Sequence, residues 1–350
     1  MKKKVISALL CATMVSSMLF GCGSKEAEAP AAEAETQTET ETETETATEE
    51  TADTTEASAE GGSVYYLNFK PEVDAQWQEI AAAYTAETGV PVKVVTAASG
   101  TYEEVLKSEI AGSDAPTLFQ INGPVGYNAW KDYCMDLSNT DLYNNLSDKS
   151  LAIAADGGVY GIPYTVEAYG IIYNDAIMQA YFAMDGAVAK SVDEINSFDT
   201  LKAVVEDMQA KKDDLGIDGV FASTSLLPGE DWRWQTHLAN IPVYYELKDK
   251  GASDVAELEF TYGENFKNIF DLYINNSTCA PTLLGSKSVT DSMAEFALGQ
   301  CAMVQNGNWG WGQISGVEGN VVTEENVKFM PIYVGVQGEE NQGLCTGTEN

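Results

Sequence analysis

Positive charge is scarce in this 350-residue chain: 19 Lys and Arg stand against 54 Asp and Glu, for a net charge of −35. Binding to phosphates needs basic patches, so a nucleic-acid partner is not expected. Histidine is scarcer still. The one histidine, His237, sits between Thr236 and Leu238, and no nucleophile pairs with it in a recognisable triad, so it reads as structural. Neither GxxxxGK[ST] nor GxGxxG occurs, which removes the usual nucleotide cradles. Six cysteines are scattered as Cys11, Cys22, Cys134, Cys279, Cys301 and Cys345, without a CxxC pair or a nearby His. That spacing argues against zinc, and no metal or cofactor is expected. Residues 212–219, KDDLGIDG, lack the D-x-D-x-D-G ladder and distant Glu of a calcium loop and read as an exposed helix end. Long apolar runs are also lacking. Only Val5 to Phe20 is continuous, and it is short for a membrane span.

What is present begins with that run. Lys2, Lys3 and Lys4 precede it in the manner of a secretory signal. Leu19-Phe20-Gly21-Cys22 resembles the lipobox of bacterial lipoproteins, which implies cleavage after residue 21 and lipidation of Cys22. A signal peptide over 1–21, a membrane lipid anchor and an extracytoplasmic location follow as expectations. Residues 22–62 form the next unit. From residue 24 they hold 13 acidic residues, one Lys and no aromatic, in a Glu-Thr repeat. Such a segment cannot bury enough apolar surface to offset ordering, so it reads as a disordered acidic tether. Its reach is about 35 Å. The leader carries three lysines and the tract a net −12, so the remaining 288 residues hold −26. That charge would also suit a cationic ligand. Cys134, Cys279, Cys301 and Cys345 could form one or two disulfides or stay free, and the sequence does not choose.

From residue 63 strands and helices alternate. VYYLNF at 64–69 reads as a strand, Glu72 to Thr88 as a helix with Val73, Trp77, Ile80, Ala81 and Tyr84 on one face, and VPVKVV at 90–95 as a strand. Gly89 stands where a terminating glycine belongs. Thr101 with Glu104 reads as a capping box for a helix ending near Gly112, and PTLFQIN at 116–122 as a third strand. The order implies parallel pairing with crossovers. After PYTVEAYGIIYN at 163–174 the pattern restarts. Helices are expected from Phe198 to Lys211, with Leu201, Val204, Val205 and Met208 inward, from Glu264 to Ile274, and from a cap at Ser292 to Leu298. GVFAS at 219–223 is a strand between them. Two α/β units fit this pattern, and ligands of such folds sit at the carboxyl ends of strands.

The candidate site residues are those strand ends. They are Lys70 and Glu72 after the first strand, Gln120 and Asn122 after the third, Tyr164 and Glu167 in the crossing segment, Trp232 and Arg233 after a Gly-Pro turn, and Asn308 and Trp309 after the run Ala302-Met303-Val304. Aromatic faces cover the apolar C–H faces of a sugar, while amides, carboxylates and Arg grip its hydroxyl edges. Trp77 reads as core, and Trp311 is a better core candidate than Trp309. No two carboxylates are marked as a catalytic pair, and no catalytic residue is assigned.

The chain resembles the extracellular solute-binding proteins of ABC importers, in the cluster that includes maltodextrin-binding proteins. IPYTVEAYGIIYN at 162–174 resembles that family's crossing segment, GQCAMVQNGNWGW at 299–311 its Asn-Gly-x-Trp-x-Trp segment, and APTLFQIN at 115–122 its third-strand loop. The resemblance implies a two-lobed, periplasmic-binding-protein-like α/β fold with a ligand cleft at the hinge. Lobe 1 would be 63–165 with 337–350 returning to it, and lobe 2 would be 166–336. It implies a monomeric, non-enzymatic binder that captures an oligosaccharide and delivers it to a membrane permease, with Trp309 stacking and Glu167 contacting the ligand. Gln120 stands where maltodextrin binders have an aromatic, so maltose itself is not implied. Family members continue for many tens of residues beyond a segment like 333–350, so a fragment or an incomplete lobe 1 is expected. The alternatives are a binder of a cationic solute such as a polyamine, and a surface glycoside hydrolase.

Overall fold

The computed structural model describes residues 62–98, 100–223 and 225–350. The expected signal peptide at 1–21, the lipidation site Cys22 and the tether at 22–62, Gly62 apart, lie outside the described residues.

The first sheet is parallel. It contains β1 (Val64–Asn68), β2 (Val92–Thr96) and β3 (Leu118–Phe119) in the order β2–β1–β3. Helices Asp74–Thr88 and Tyr102–Ile110 make the crossovers, as parallel strands require. Gly89 ends the first of them at φ 73°, a conformation glycine adopts without strain. Leu67, Tyr102, Leu106, Ile121 and Trp130 form the core here.

Three local expectations fail. The stripe on helix Asp74–Thr88 is not an inward face: Ala81 is buried, but Ile80 is 55% and Tyr84 48% exposed. Trp77 is half-buried, edge-on to Tyr66 at 4.8 Å. The Thr101 box does not form, because its hydroxyl donates to the Ala98 carbonyl at 2.9 Å, a competing local acceptor. The third strand is only two residues long. The Gln120 N–H goes to the Tyr102 hydroxyl (2.7 Å) and the Ile121 N–H to the Asn350 carbonyl (2.9 Å), not to a strand ladder.

A hairpin of β4 (Ile153–Ala155) and β5 (Gly158–Gly161) follows, turning at Asp156 and Gly157, both at positive φ. The second sheet has five strands: β6 (Thr165–Asn174), β7 (Gly219–Phe221), β8 (Cys301–Gly307), β9 (Val327–Met330) and β10 (Cys345–Glu349). Its path is β10–β6–β8–β7, with β9 also on β6. Only β7 and β8 run parallel, so this unit is mixed where the alternation suggested parallel strands. β6 is ten residues long because two partners share one of its edges: β10 takes residues 165–169 and β9 takes 171–174.

Helices cover both faces of the second sheet. On one, helix Phe198–Ala210 places Leu201, Val204, Val205 and Met208 fully inside, as its period predicts. Each such side chain contributes about 1.5–3 kcal/mol of burial. On the other, Met293 and Phe296 of helix Val289–Ala297 pack with Ile314. Its cap is Ser288, in a reciprocal box with Asp291, rather than the expected Ser292, which lies inside the helix and donates to the Val289 carbonyl. All four described cysteines are free. On the first sheet's side an open groove of about 920 Å³ runs along Leu118, Tyr133, Met135, Leu142 and Ile162, with Tyr164 at its edge.

Candidate functional site

Construction starts where β1 ends. The Asn68 amide grips residue 70 at both backbone groups, donating to the Lys70 carbonyl (2.8 Å) and accepting from its N–H (3.0 Å). This local turn aims the buried Lys70 side chain. Its Nζ lies 2.7 Å from Glu167 on β6, 3.2 Å from Glu349 on β10 and 3.6 Å from Glu72 in the turn after β1. The Trp309 ring centroid is 5.4 Å from the same nitrogen and the Phe69 ring 5.7 Å. Glu167 and Glu349 are diagonal neighbours: Gly347 faces Glu167 and Glu349 faces Thr165 across the antiparallel pair, so both carboxylates share a sheet face.

The other half comes from a π-helical turn, Arg233–Leu238. Its wider winding is costly and recurs at functional sites. Here it places Trp232, Arg233 and His237 together. Arg233 lies over the Trp232 ring at 4.0 Å and donates from Nε to Asn306 Oδ1 at 3.1 Å. His237 stacks flat on Tyr169 (4.0 Å, 9°) and meets Trp232 (4.8 Å) and Trp309 (5.6 Å) edgewise. Trp232 and Trp309 are 6.2 Å apart. Five aromatic rings, those of Phe69, Tyr169, Trp232, His237 and Trp309, thus lie at a cluster of two cations and three carboxylates.

The Asn-Gly-Asn-Trp stretch explains itself in this setting. Asn306 holds Arg233. Asn308 extends the β6–β8 ladder, with its N–H on the Ala168 carbonyl (2.9 Å) and its Oδ1 accepting from the Ala168 N–H (3.3 Å). The Trp309 indole folds back over Gly307, where a Cβ would come within 2.0 Å of the ring. Only glycine permits that approach.

The sequence profile of the bacterial extracellular solute-binding proteins matches residues 79–348. The chain belongs to this family. Solved structures with the same fold include RafE in complex with raffinose (21% identity, TM-score 0.58, covering 81% of this chain and 70% of that one). A chitin oligosaccharide binding protein matches at 16% identity and TM-score 0.61, covering 82% and 70%. The maltose-bound MalE3 of T. maritima matches at 13% and 0.58, covering 82% and 71%. At these identities the likeness is one of fold, two-lobed and α/β. No curated protein matches the chain.

The ten site residues expected in this solute-binding protein divide in three. Lys70, Glu72, Glu167, Trp232, Arg233 and Trp309 come together as described. Asn308 serves the backbone ladder beside them. Gln120 and Asn122 are placed differently, while Tyr164 flanks the cluster, its N–H donating to the Glu349 carbonyl (3.0 Å). The Gln120 carbonyl oxygen accepts from the Phe69 N–H (2.7 Å) and the Tyr66 hydroxyl (3.1 Å), and its Nε2 donates to the Tyr164 hydroxyl (3.1 Å). It braces the β1–β3 end. Asn122 is exposed and precedes helix Gly123–Trp130 without capping it. Three members lie outside those ten: Tyr169, in the crossing segment with Glu167, and also Glu349 and His237. Glu349 joins only through β6–β10 pairing, which leaves no local mark. His237, read as a structural residue, stands at the centre of the ring set.

Electrostatics follow from burial. Burial opposes the Lys70 charge, but Glu349, Glu167 and Glu72 outweigh it and hold its pKa above the ordinary value. Burial raises Glu349 to about 7, with Lys70 acting against the rise and Glu167 with it. His237 is lowered to about 4 by burial and by the nearby Arg233 and Lys70, so its imidazole is neutral at pH 7. Burial brings Arg233 down to about 10, still charged. Among the described residues no group of three or more His, Cys, Asp or Glu could hold a metal ion.

Proposed function

We propose that this solute-binding protein captures an oligosaccharide outside the cell and presents it to the membrane permease of an ABC importer, with no covalent chemistry of its own. The observation that carries the reading is the ring set Trp232, Trp309, His237 and Tyr169 beside the Lys70–Glu72–Glu167–Glu349 cluster. Rings cover the C–H faces of a sugar, and carboxylates and guanidinium take its hydroxyls. The raffinose, chitin-oligosaccharide and maltose proteins of the same fold support the substrate class. In this reading the lobes are 63–165 with 337–350 and 166–336, β6 and β10 carry the chain between them, and closure on the solute favours the bound state. Lipid at Cys22 would tether the monomer to the membrane surface. A hydrolase role has less support, because Lys70 Nζ bonds both Glu167 and Glu349 where a glycosidic oxygen would have to lie.

Tryptophan fluorescence tests the reading. Titration with raffinose, chito-, xylo- and malto-oligosaccharides is expected to give a saturable change with one class, lost in Trp309→Ala. A folded variant that responds as the wild type does would move the site away from Trp309. Silence toward every sugar would remove the oligosaccharide reading.

A further inference from the structure

The candidate site carries its own cation. The Lys70 ammonium is ringed by Glu167, Glu349 and Glu72 at 2.7–3.6 Å and faces the Trp309 indole at 5.4 Å. Carboxylates and an indole face are the partners a bound ammonium ligand would use. We propose that Lys70 is a specificity-determining residue: it fills the cation position of a carboxylate-and-indole cage with its own side chain, and so turns the site from cationic solutes to uncharged polyhydroxyl ones. The inference rests on the solute-capture reading above and names the charge class of the solute.

Three features support it. The cage is assembled from four separate segments, those after β1 and β8 and strands β6 and β10, and Lys70 is the group all four share. Its backbone is clamped by the Asn68 amide, so the ammonium has a fixed origin. The local charges also balance. Lys70 and Arg233 stand against Glu72, Glu167 and Glu349, and Glu349 keeps its proton up to about pH 7. The chain is strongly acidic, yet this cluster is close to neutral and offers little net field to a polyamine. Each carboxylate has more acceptor positions than Lys70 occupies, which leaves sites for sugar hydroxyls.

Calorimetry on the full chain tests this with n-butylammonium and putrescine as probes and the sugar panel in parallel. Wild type and Lys70→Arg, both keeping the cation, should bind neither amine saturably. Lys70→Ala opens the space of the deleted side chain and should bind n-butylammonium at least about tenfold tighter than wild type. If Lys70→Ala is unfolded by circular dichroism, Lys70→Met keeps the stem without the charge and is titrated with methylammonium instead. Saturable amine binding by the wild type overturns the proposal. So does a folded Ala or Met variant that binds amine no better than wild type. The sugar arm is separate: sugar binding without the amine pattern removes the cage and keeps the capture reading, while the amine pattern without any sugar binding keeps the cage and removes the oligosaccharide.

Discussion

At Gly307 one hydrogen decides where an indole sits. A Cβ there would lie 2.0–2.4 Å from three ring atoms of Trp309, so Gly307→Ala must displace the ring. The expected outcome is a shifted tryptophan emission with a stability loss of about 1–3 kcal/mol. Unchanged emission would mean the indole does not cover this glycine. Two titrating residues beside it pull in opposite directions. Folded Glu349 keeps its proton to about pH 7, while an unfolded glutamate releases it near 4.5, so this residue lowers stability as pH rises through that window. Folded His237 stays neutral down to about pH 4, while an unfolded histidine protonates near 6.5, so this residue lowers stability as pH falls through that window. Glu349→Gln should therefore make the melting temperature rise more steeply with pH between about 4.5 and 7, and His237→Gln should make it rise less steeply. Equal pH profiles for wild type and both variants would refute the assignment.

Among the elements, helices with a strong period were legible and their ends were not. Helix Phe198–Ala210 has the inward residues its spacing predicts, because four apolar side chains on one stripe leave the sheet only one way to accept it. Helix Val289–Ala297 begins earlier than its second serine suggested, since Ser288 and Asp291 also satisfy the box. Ser288→Ala should lower the melting free energy by about 0.5–2 kcal/mol through the exposed N–H groups it leaves. A neutral result would place the cap at another residue. The π-helical turn Arg233–Leu238 had no sequence signal: Trp232 and Trp234 alternate as a strand would, yet Trp234 enters the core and Trp232 the ring set. Helix Asp74–Thr88 shows the converse, an apolar stripe left exposed at Ile80 and Tyr84.

At the scale of the whole molecule, the site depends on pairings far apart in the chain. Lys70 and Glu349 meet across 279 positions because β10 returns to β6. The groove of about 920 Å³ on the first sheet's side exposes Leu118, Tyr133, Met135 and Leu142, each more than half exposed. Contiguous apolar surface of this kind binds amphiphilic dyes. The described chain should therefore enhance anilinonaphthalene sulfonate fluorescence, and Leu142→Glu should reduce that signal without changing solute affinity. A dye signal unmoved by the substitution would place the apolar surface elsewhere.

The residue order by itself determined the α/β alternation, the inward stripes of the best helices and six of the residues that gather at the site. These are local properties, set by period, turn chemistry and the side chains that follow strand ends. The tertiary structure alone decided that Gln120 braces instead of reaching out, that His237 centres the rings, and that Glu349 completes the cage around Lys70. Those outcomes rest on strand register and long-range burial, and neither leaves a mark on neighbouring residues in the chain.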